Sequence, residues 1–286
     1  MGDACAAASR LLSMRSRAVM RPHDTLELDP PTLATVRARK PSSTMPDDNF
    51  GFLVIGAGRG GTSVLAASLD AHDALEVGFE QFSEGYLMGK ALATAARGMF
   101  DQRALAFVRA CRDEAARFPA VSWGNKITTE QVFGLEDHNV ANPDAPVAVL
   151  DRFFNHHLRG VKIVFVLRDG RTCVRSKVAR TGQSLELACE RWKYSVKVYR
   201  FLESRHDNRI CVRFEDLLRD PERTLTAICT FLGVAYQPAM LAGTRSEKMR
   251  PDYRQPQLDT SKLALFDVPP GCLERIGDDL RLCGYL

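Results

Sequence analysis

Apolar positions along this chain follow two periods in turn, runs that fit a buried strand and three-to-four spacings that fit a helix, and the switch recurs. Phe52–Ile55 is an apolar strand, followed by a glycine-rich turn and a helix reaching Asp70. Leu75-Glu76-Val77 reads as a short strand, 82–117 as a helix-rich stretch with Ala and Leu at helical spacing, and Ala120–Trp123 as another short strand. Pro146–His157 reads as a helix. Val161–Leu167 is the strongest strand, β-branched and bounded by Gly160 and by Asp169-Gly170. Helices follow at 171–180 and 184–204, then strand Arg209–Phe214, a helix over 221–232 closed by Gly233, and a last helix at 270–281. Segment 243–262 is polar, basic and proline-punctuated, and reads as a mobile loop. Strands alternating with helices predict an α/β, three-layer, P-loop-like fold with a central, mainly parallel sheet flanked by helices.

Length and charge narrow the class. The 286 residues, 45% hydrophobic, suffice for one large core. Residues 1–49 are expected to be a disordered N-terminal extension and 50–286 a single domain. The extension lacks the apolar core of a secretory signal, has some presequence character, and offers an alternative start at Met45. Its first 45 residues carry a charge of +3, leaving +1 for the rest, so the folded body is nearly neutral and no nucleic-acid partner is expected. No run approaches 18 apolar residues, so no transmembrane segment is expected. The eight cysteines form no CxxC pair and sit mostly in apolar-periodic segments, which reads as buried, reduced thiols in a cytoplasmic protein. The oligomeric state is not legible.

The candidate chemistry begins at Gly56-Ala57-Gly58-Arg59-Gly60-Gly61-Thr62-Ser63. Four glycines in six residues let a loop turn its N–H groups toward one point at a helix N-terminus, where an anion is favoured. A nucleotide-hydrolysing P-loop would place a lysine after the last glycine. Here Thr62 stands there, and the nearby cation is Arg59. A second anion site follows the strongest strand: Arg168 leaves its carboxyl end and Ser176 lies eight residues on. A guanidinium fork with a hydroxyl suits a dianionic phosphate. The helix residues Arg171, Arg175, Lys177 and Arg180 read as a solvated basic face. The histidines offer no metal-ligating spacing, His156 and His157 being adjacent. His72 reads as a helix-ending structural residue. Trp123 fits either an adenine support or the core.

Two anion sites on one sheet suit a nucleotide with phosphates at both ends, and here the chain resembles the sulfotransferases that use 3′-phosphoadenosine 5′-phosphosulfate (PAPS). Gly56–Ser63 resembles that family's 5′-phosphosulfate loop and Arg168–Ser176 its 3′-phosphate motif. Cys211-Val-Arg-Phe-Glu-Asp-Leu, Asp220-Pro221-Glu222 and Phe231-Leu232-Gly233-Val234 resemble its closing strand and helix. The resemblance spans about 52–235, with spacing nearest the tyrosylprotein and related bacterial branch. One departure is Gly60 where serine is usual, which removes a hydroxyl but keeps the backbone donors.

The resemblance implies in-line transfer of a sulfuryl group from PAPS to a hydroxyl acceptor without a metal. The acceptor could be a carbohydrate, lipid, peptide tyrosine or small metabolite. It implies Glu80 as the base, with Glu76, Glu84 and His72 as competitors, and Lys126 of Asn125-Lys126, a pair following a short strand, as the cation at the bridging oxygen. Arg59, Gly60, Gly61, Thr62 and Ser63 would hold the phosphosulfate, and Arg168 with Ser176 the 3′-phosphate. Segments 82–117 and 243–262 would shape the acceptor pocket. Three other readings remain. Gly56-x-Gly58-x-x-Gly61 with Glu76 twenty residues on also fits an NAD(P)-dependent Rossmann oxidoreductase, but leaves Arg59, Lys126 and Arg168–Ser176 unexplained. A kinase-like P-loop protein would need the missing lysine. A non-catalytic nucleotide-binding protein draws support only from Gly60.

Overall fold

The computed structural model describes residues 49–93, 98–264 and 268–286. The expected N-terminal extension, residue 49 apart, lies outside them. Five strands form one sheet in the order β2-β3-β1-β4-β5, every pairing parallel. They are β1 (Phe50–Gly56), β2 (Leu75–Phe79), β3 (Ser122–Lys126), β4 (Lys162–Leu167) and β5 (Arg209–Arg213). Helices intervene: α1 (Thr62–Asp70), α2 (Phe100–Ala115), α3 (Thr129–Phe133), α4 (Asp137–Ala141), α5 (Val149–Asp151), α6 (Gly170–Thr181), α7 (Leu185–Arg205), α8 (Phe214–Arg219), α9 (Pro221–Leu232) and α10 (Cys272–Leu282).

Strand alternation sorts side chains into two cores, one on each face of the sheet. Leu53, Ile55, Ile163, Phe165 and Leu167 face one side and pack with α2, α6, α7 and α10. Phe52, Val54, Val164 and Val166 face the other and pack with α1, α8 and α9. Both faces are covered, which is why β4 reads as an uninterrupted apolar run. Trp123 is 1% exposed and packs on Phe50 with centroids 5.5 Å apart, so it is a core residue and no adenine support. All seven described cysteines are free thiols, and six of them are buried.

Local signals set most boundaries. Asp169 and Asp220 accept N–H groups at the starts of α6 and α9, Pro221 opens α9, and Gly182 and Gly233 close the two helices with φ of 65° and 88°. Three expectations shift. In the helix-rich stretch 82–117 the described residues form a π-helical turn over Ser83–Leu87 and then α2 from Phe100 to Ala115. The short strand expected at Ala120–Trp123 runs instead over Ser122–Lys126, so Lys126 ends the strand rather than following it. Segment 243–262 contains 3₁₀ turns over Pro238–Arg245, Pro251–Tyr253 and Thr260–Leu263, the first tied down by Thr244 donating to Gln255 O at 2.9 Å.

One buried cation braces the region between β2 and α4. Arg103 on α2 is 0% exposed; it donates to the carbonyls of Tyr86 (3.2 Å), Gly134 (2.7 Å) and Leu87, and pairs with Asp137 at 3.4 Å. Tyr86 O and Gly134 O also accept backbone N–H groups, from Gly89 and Asp137, so Arg103 is a second, charged donor that ties these turns together. Arg103→Met keeps the volume but removes that donor, and is expected to lower unfolding free energy by about 1–3 kcal/mol, as for the loss of hydrogen bonds to a buried charged group. Urea denaturation followed by far-UV circular dichroism measures this; an unchanged midpoint would refute the bracing role.

Candidate active site

A parallel sheet delivers the carboxyl ends of all its strands to one edge, and each candidate residue leaves one of those ends. The loop after β1 turns sharply, with Arg59 at φ 71° and Gly61 at φ 96°. Gly61 has a second reason to lack a side chain, since a Cβ there would stand 2.1 Å from the Phe214 ring. The N–H groups of Gly61, Thr62 and Ser63 have no acceptor among the described residues, and they converge at the start of α1. Gly60 differs from expectation. It donates its N–H to Ala57 O at 2.7 Å, so that donor closes the loop instead of facing a ligand. A Cβ at Gly60 would lie 2.6 Å from the same oxygen, which explains why serine does not stand here.

The two anion motifs interlock. Arg168, at the end of β4, donates to Arg59 O at 2.8 Å and to Thr172 Oγ1 at 3.1 Å, and its guanidinium lies 4.7 Å above the Phe214 ring. Arg59 in turn donates Nε to Ser176 Oγ on α6 at 3.1 Å. No carboxylate within ion-pair distance of Arg59 or Arg168 occurs among the described residues. Burial lowers the pKa of Arg168, and nearby Arg59 pushes the same way against the opposing fields of Glu215 and Asp169. Two adjoining guanidinium groups without a matched anion form a site for one.

The 243–262 segment adds to this side. Tyr253 sits with its ring 4.7 Å from the Arg59 guanidinium and 5.2 Å from that of Arg180. Burial raises the Tyr253 pKa, but Arg59 and Arg180 outweigh it and leave the hydroxyl below its usual value. Lys262 is lowered by burial first and then by Arg168 and Arg59, which places it in the same positive field. The sequence offered only a polar basic loop at these positions.

The β2 and β3 ends carry the other half of the site. Glu80 follows β2 at φ 59°, and Phe82 lies at φ 64°. Two non-glycine residues in the left-handed region within one turn store strain of the kind found at functional sites. Glu80 N–H donates to Lys126 O at 2.7 Å, and the Glu80 carbonyl accepts from Ser83 Oγ at 2.7 Å, which holds the turn. The Lys126 ammonium, 4% exposed, meets Glu80 Oε1. Gln131 on α3 supplies a contact the sequence did not announce. Its Oε1 accepts from Thr128 N–H at 2.8 Å, which fixes the amide so that Nε2 donates to Glu80 Oε2 at 2.9 Å.

The neighbouring residue, Glu130, turns to the phosphate loop. It accepts from Gly58 N–H at 2.9 Å and pairs with Lys177. Lys177 is therefore buried at 2% exposure and not on a solvated face. Arg171 departs likewise, pairing with Asp169 at 2.6 Å and donating to Tyr285 O, while Arg180 is exposed as read. The competing bases are engaged elsewhere: Glu76 pairs with Lys248, Glu84 with Lys90 at 2.8 Å, and buried His72 bonds Ala235 O at 2.6 Å. Among the described residues no cluster of metal-binding side chains occurs, and no helix is long and apolar enough to cross a membrane.

A cavity of about 860 Å³ opens beside Glu80 between α3 and α7. Glu84 and Met88 line it, in keeping with the expected role of 82–117, but no residue of 243–262 does.

The sequence profile described as the sulfotransferase family matches residues 52–238, well over half of the chain. Two solved structures share its fold. The sulfotransferase domain from the curacin biosynthetic pathway superposes with TM-score 0.58 at 15% identity, over 82% of this chain and 98% of that one. The sulfotransferase domain from the Synechococcus PCC 7002 olefin synthase gives 0.56 at 18% identity, over 87% and 98%. No curated protein matches the chain in sequence.

The Glu130–Lys177 pair yields a direct test of how the loop is held. Lys177→Met leaves a largely buried carboxylate against Gly58, and the expected loss is about 3–5 kcal/mol of unfolding free energy. Equilibrium denaturation of parent and variant decides; a loss below about 1 kcal/mol would place the pair in solvent.

Proposed function

The chain belongs to the sulfotransferase family, and from that premise we propose that it moves the sulfuryl group of PAPS to a hydroxyl acceptor, with Glu80 and Lys126 at the reacting end. The observation that carries this reading is the meeting of Glu80 and Lys126 at adjoining strand ends, on the same sheet edge as the unmatched Arg59–Arg168 pair.

The residues present fit the donor. Three N–H groups without acceptors at the start of α1, together with Arg59, suit its 5′-phosphosulfate. Arg168 and Ser176, with Tyr253 and Lys262 in the same field, suit its 3′-phosphate. PAPS supplies an activated sulfuryl group, less charged than a phosphoryl group, so fixed protein cations suffice in place of magnesium. Lys126 is positioned to donate to the oxygen left behind. Glu80 is the acceptor's base, its two carboxylate oxygens fixed by Lys126 and Gln131 so that each keeps an oriented lone pair for the hydroxyl proton. Gly60 is set aside as a donor, and the fit rests on Gly61, Thr62 and Ser63.

This assignment separates binding from chemistry. In calorimetry with EDTA present, 3′,5′-ADP should bind, and Arg168→Ala should weaken it by about 1.5–3 kcal/mol, the range for one charged, forked contact. Equal affinity of parent and variant would remove Arg168 from the 3′-phosphate site.

Glu80→Gln should leave that affinity nearly unchanged while lowering single-turnover sulfation by roughly 10²–10⁴-fold, the usual contribution of positioned proton transfer. Near-parental turnover would move the base elsewhere.

A further inference from the structure

The cavity beside Glu80 has walls of a distinct chemistry. Phe133, the last residue of α3, is 53% exposed, Leu187 on α7 is 42% exposed and Met88 is 36% exposed, and all three line it. Tyr194 completes the wall, its ring meeting Phe133 edge-on at 4.9 Å. Of nine large hydrophobic side chains exposed among the described residues, three thus gather at this one opening. Scattered exposed hydrophobics are ordinary, whereas a group lining a concave surface marks a binding site.

Charge around the rim decides between acceptor classes. The charged side chains that line the cavity balance in sign, five carboxylates against five cations, and several are paired: Glu84 with Lys90 at 2.8 Å, Glu190 with Lys193 at 3.3 Å, and Lys197 with Glu136 at 3.2 Å. A surface built for an anionic polysaccharide or an acidic peptide would carry cations in excess. Here the signs balance, and the exposed apolar side chains gather on one wall, with Glu80 and Thr128 beside them.

We infer that this cavity takes an uncharged, predominantly apolar alcohol, its hydroxyl reaching Glu80 and its hydrocarbon body lying on Phe133, Leu187, Met88 and Tyr194. The inference rests on the sulfuryl-transfer reading above and names the acceptor class for that same site. Transfer forms one O–S bond at the acceptor oxygen and breaks the S–O bond to the 5′-phosphate of PAPS. The hydroxyl proton passes to Glu80 and 3′,5′-ADP leaves. The cavity volume, about 860 Å³, suits a body of drug-like size.

The test uses the full chain, PAPS and three acceptors that all present aliphatic hydroxyls: 1-decanol, a neutral oligosaccharide and an acidic serine peptide. Affinity for 3′,5′-ADP is measured in parallel. The expected result is a kcat/KM for 1-decanol at least tenfold above the other two. Phe133→Asp and Leu187→Asp, both at solvent-exposed positions, should each raise the KM for 1-decanol tenfold or more, with 3′,5′-ADP affinity within twofold of the parent. Preference for the oligosaccharide or the peptide overturns the inference, as does an unchanged KM in both variants. Absence of transfer to 1-decanol by a protein that binds 3′,5′-ADP overturns it too, and leaves the sulfotransferase reading standing. Failure to bind 3′,5′-ADP overturns the donor reading, and this inference with it.

Discussion

The Arg168 guanidinium is the interaction on which the site's geometry depends. It reaches from the end of β4 to hold the Arg59 carbonyl, while Arg59 reaches back to Ser176 on α6. Each anion motif is thus positioned by the other, and neither loop can move alone without breaking a charge-assisted hydrogen bond in a half-buried setting. Phe214 completes the arrangement. Its ring lies under Arg168 and against Gly61, so the first residue after β5 fixes both the cation and the closest approach of the loop. A side chain on Gly61 would push that ring away and release Arg168. The loop's glycine and the strand-end arginine are two parts of one packing constraint.

The Glu80–Lys126 pair is held by a different device. Left-handed backbone at Glu80 and Phe82 costs on the order of 1–3 kcal/mol per residue and persists because the surroundings over-determine it. Lys126 O takes the Glu80 N–H, Ser83 takes its carbonyl, and Arg103 anchors the next turn through Tyr86 and Leu87. Strain at this corner lifts the Glu80 carboxylate off the end of β2 toward Lys126 and Gln131. Burying Lys126 would be unfavourable without that carboxylate, so fold and chemistry require the same contact.

The fold and half of the site were legible in the chain because their determinants are local. Strand, glycine turn and helix follow one another within Phe52–Asp70, and Arg168 and Ser176 are eight residues apart on one strand–helix unit. Gly233 marked the end of α9 because its φ of 88° is one that glycine adopts freely. What escaped was non-local. Lys177 reads as a solvated lysine until Glu130, 47 residues away, is placed beside it. Gln131, Tyr253 and Lys262 carry no motif, and only the folded chain brings them to Glu80 and Arg59. Gly60 was misread for a local reason: a glycine-rich loop announces free N–H groups, but not which of them the loop itself consumes.

The short helix α3 then explains how the two halves stay in register. Its consecutive residues Glu130 and Gln131 turn to different neighbours, one to Gly58 and Lys177, the other to Glu80, and Phe133 two positions on forms the cavity wall. Five residues would be a marginal helix alone. Here the capping contact from Thr128 N–H to Gln131 serves both to start the helix and to aim the amide at Glu80. The glycine-rich loop, Glu80 and the cavity wall therefore share one support. A shift of α3 would displace all three together, whereas separate supports would let loop and carboxylate drift apart. On the proposed reading, with Glu80 as the acceptor's base, an error of about 1 Å at the reacting atoms would cost on the order of 10²-fold in rate, and a common bracket keeps donor and acceptor aligned across a sheet edge built from five separate turns.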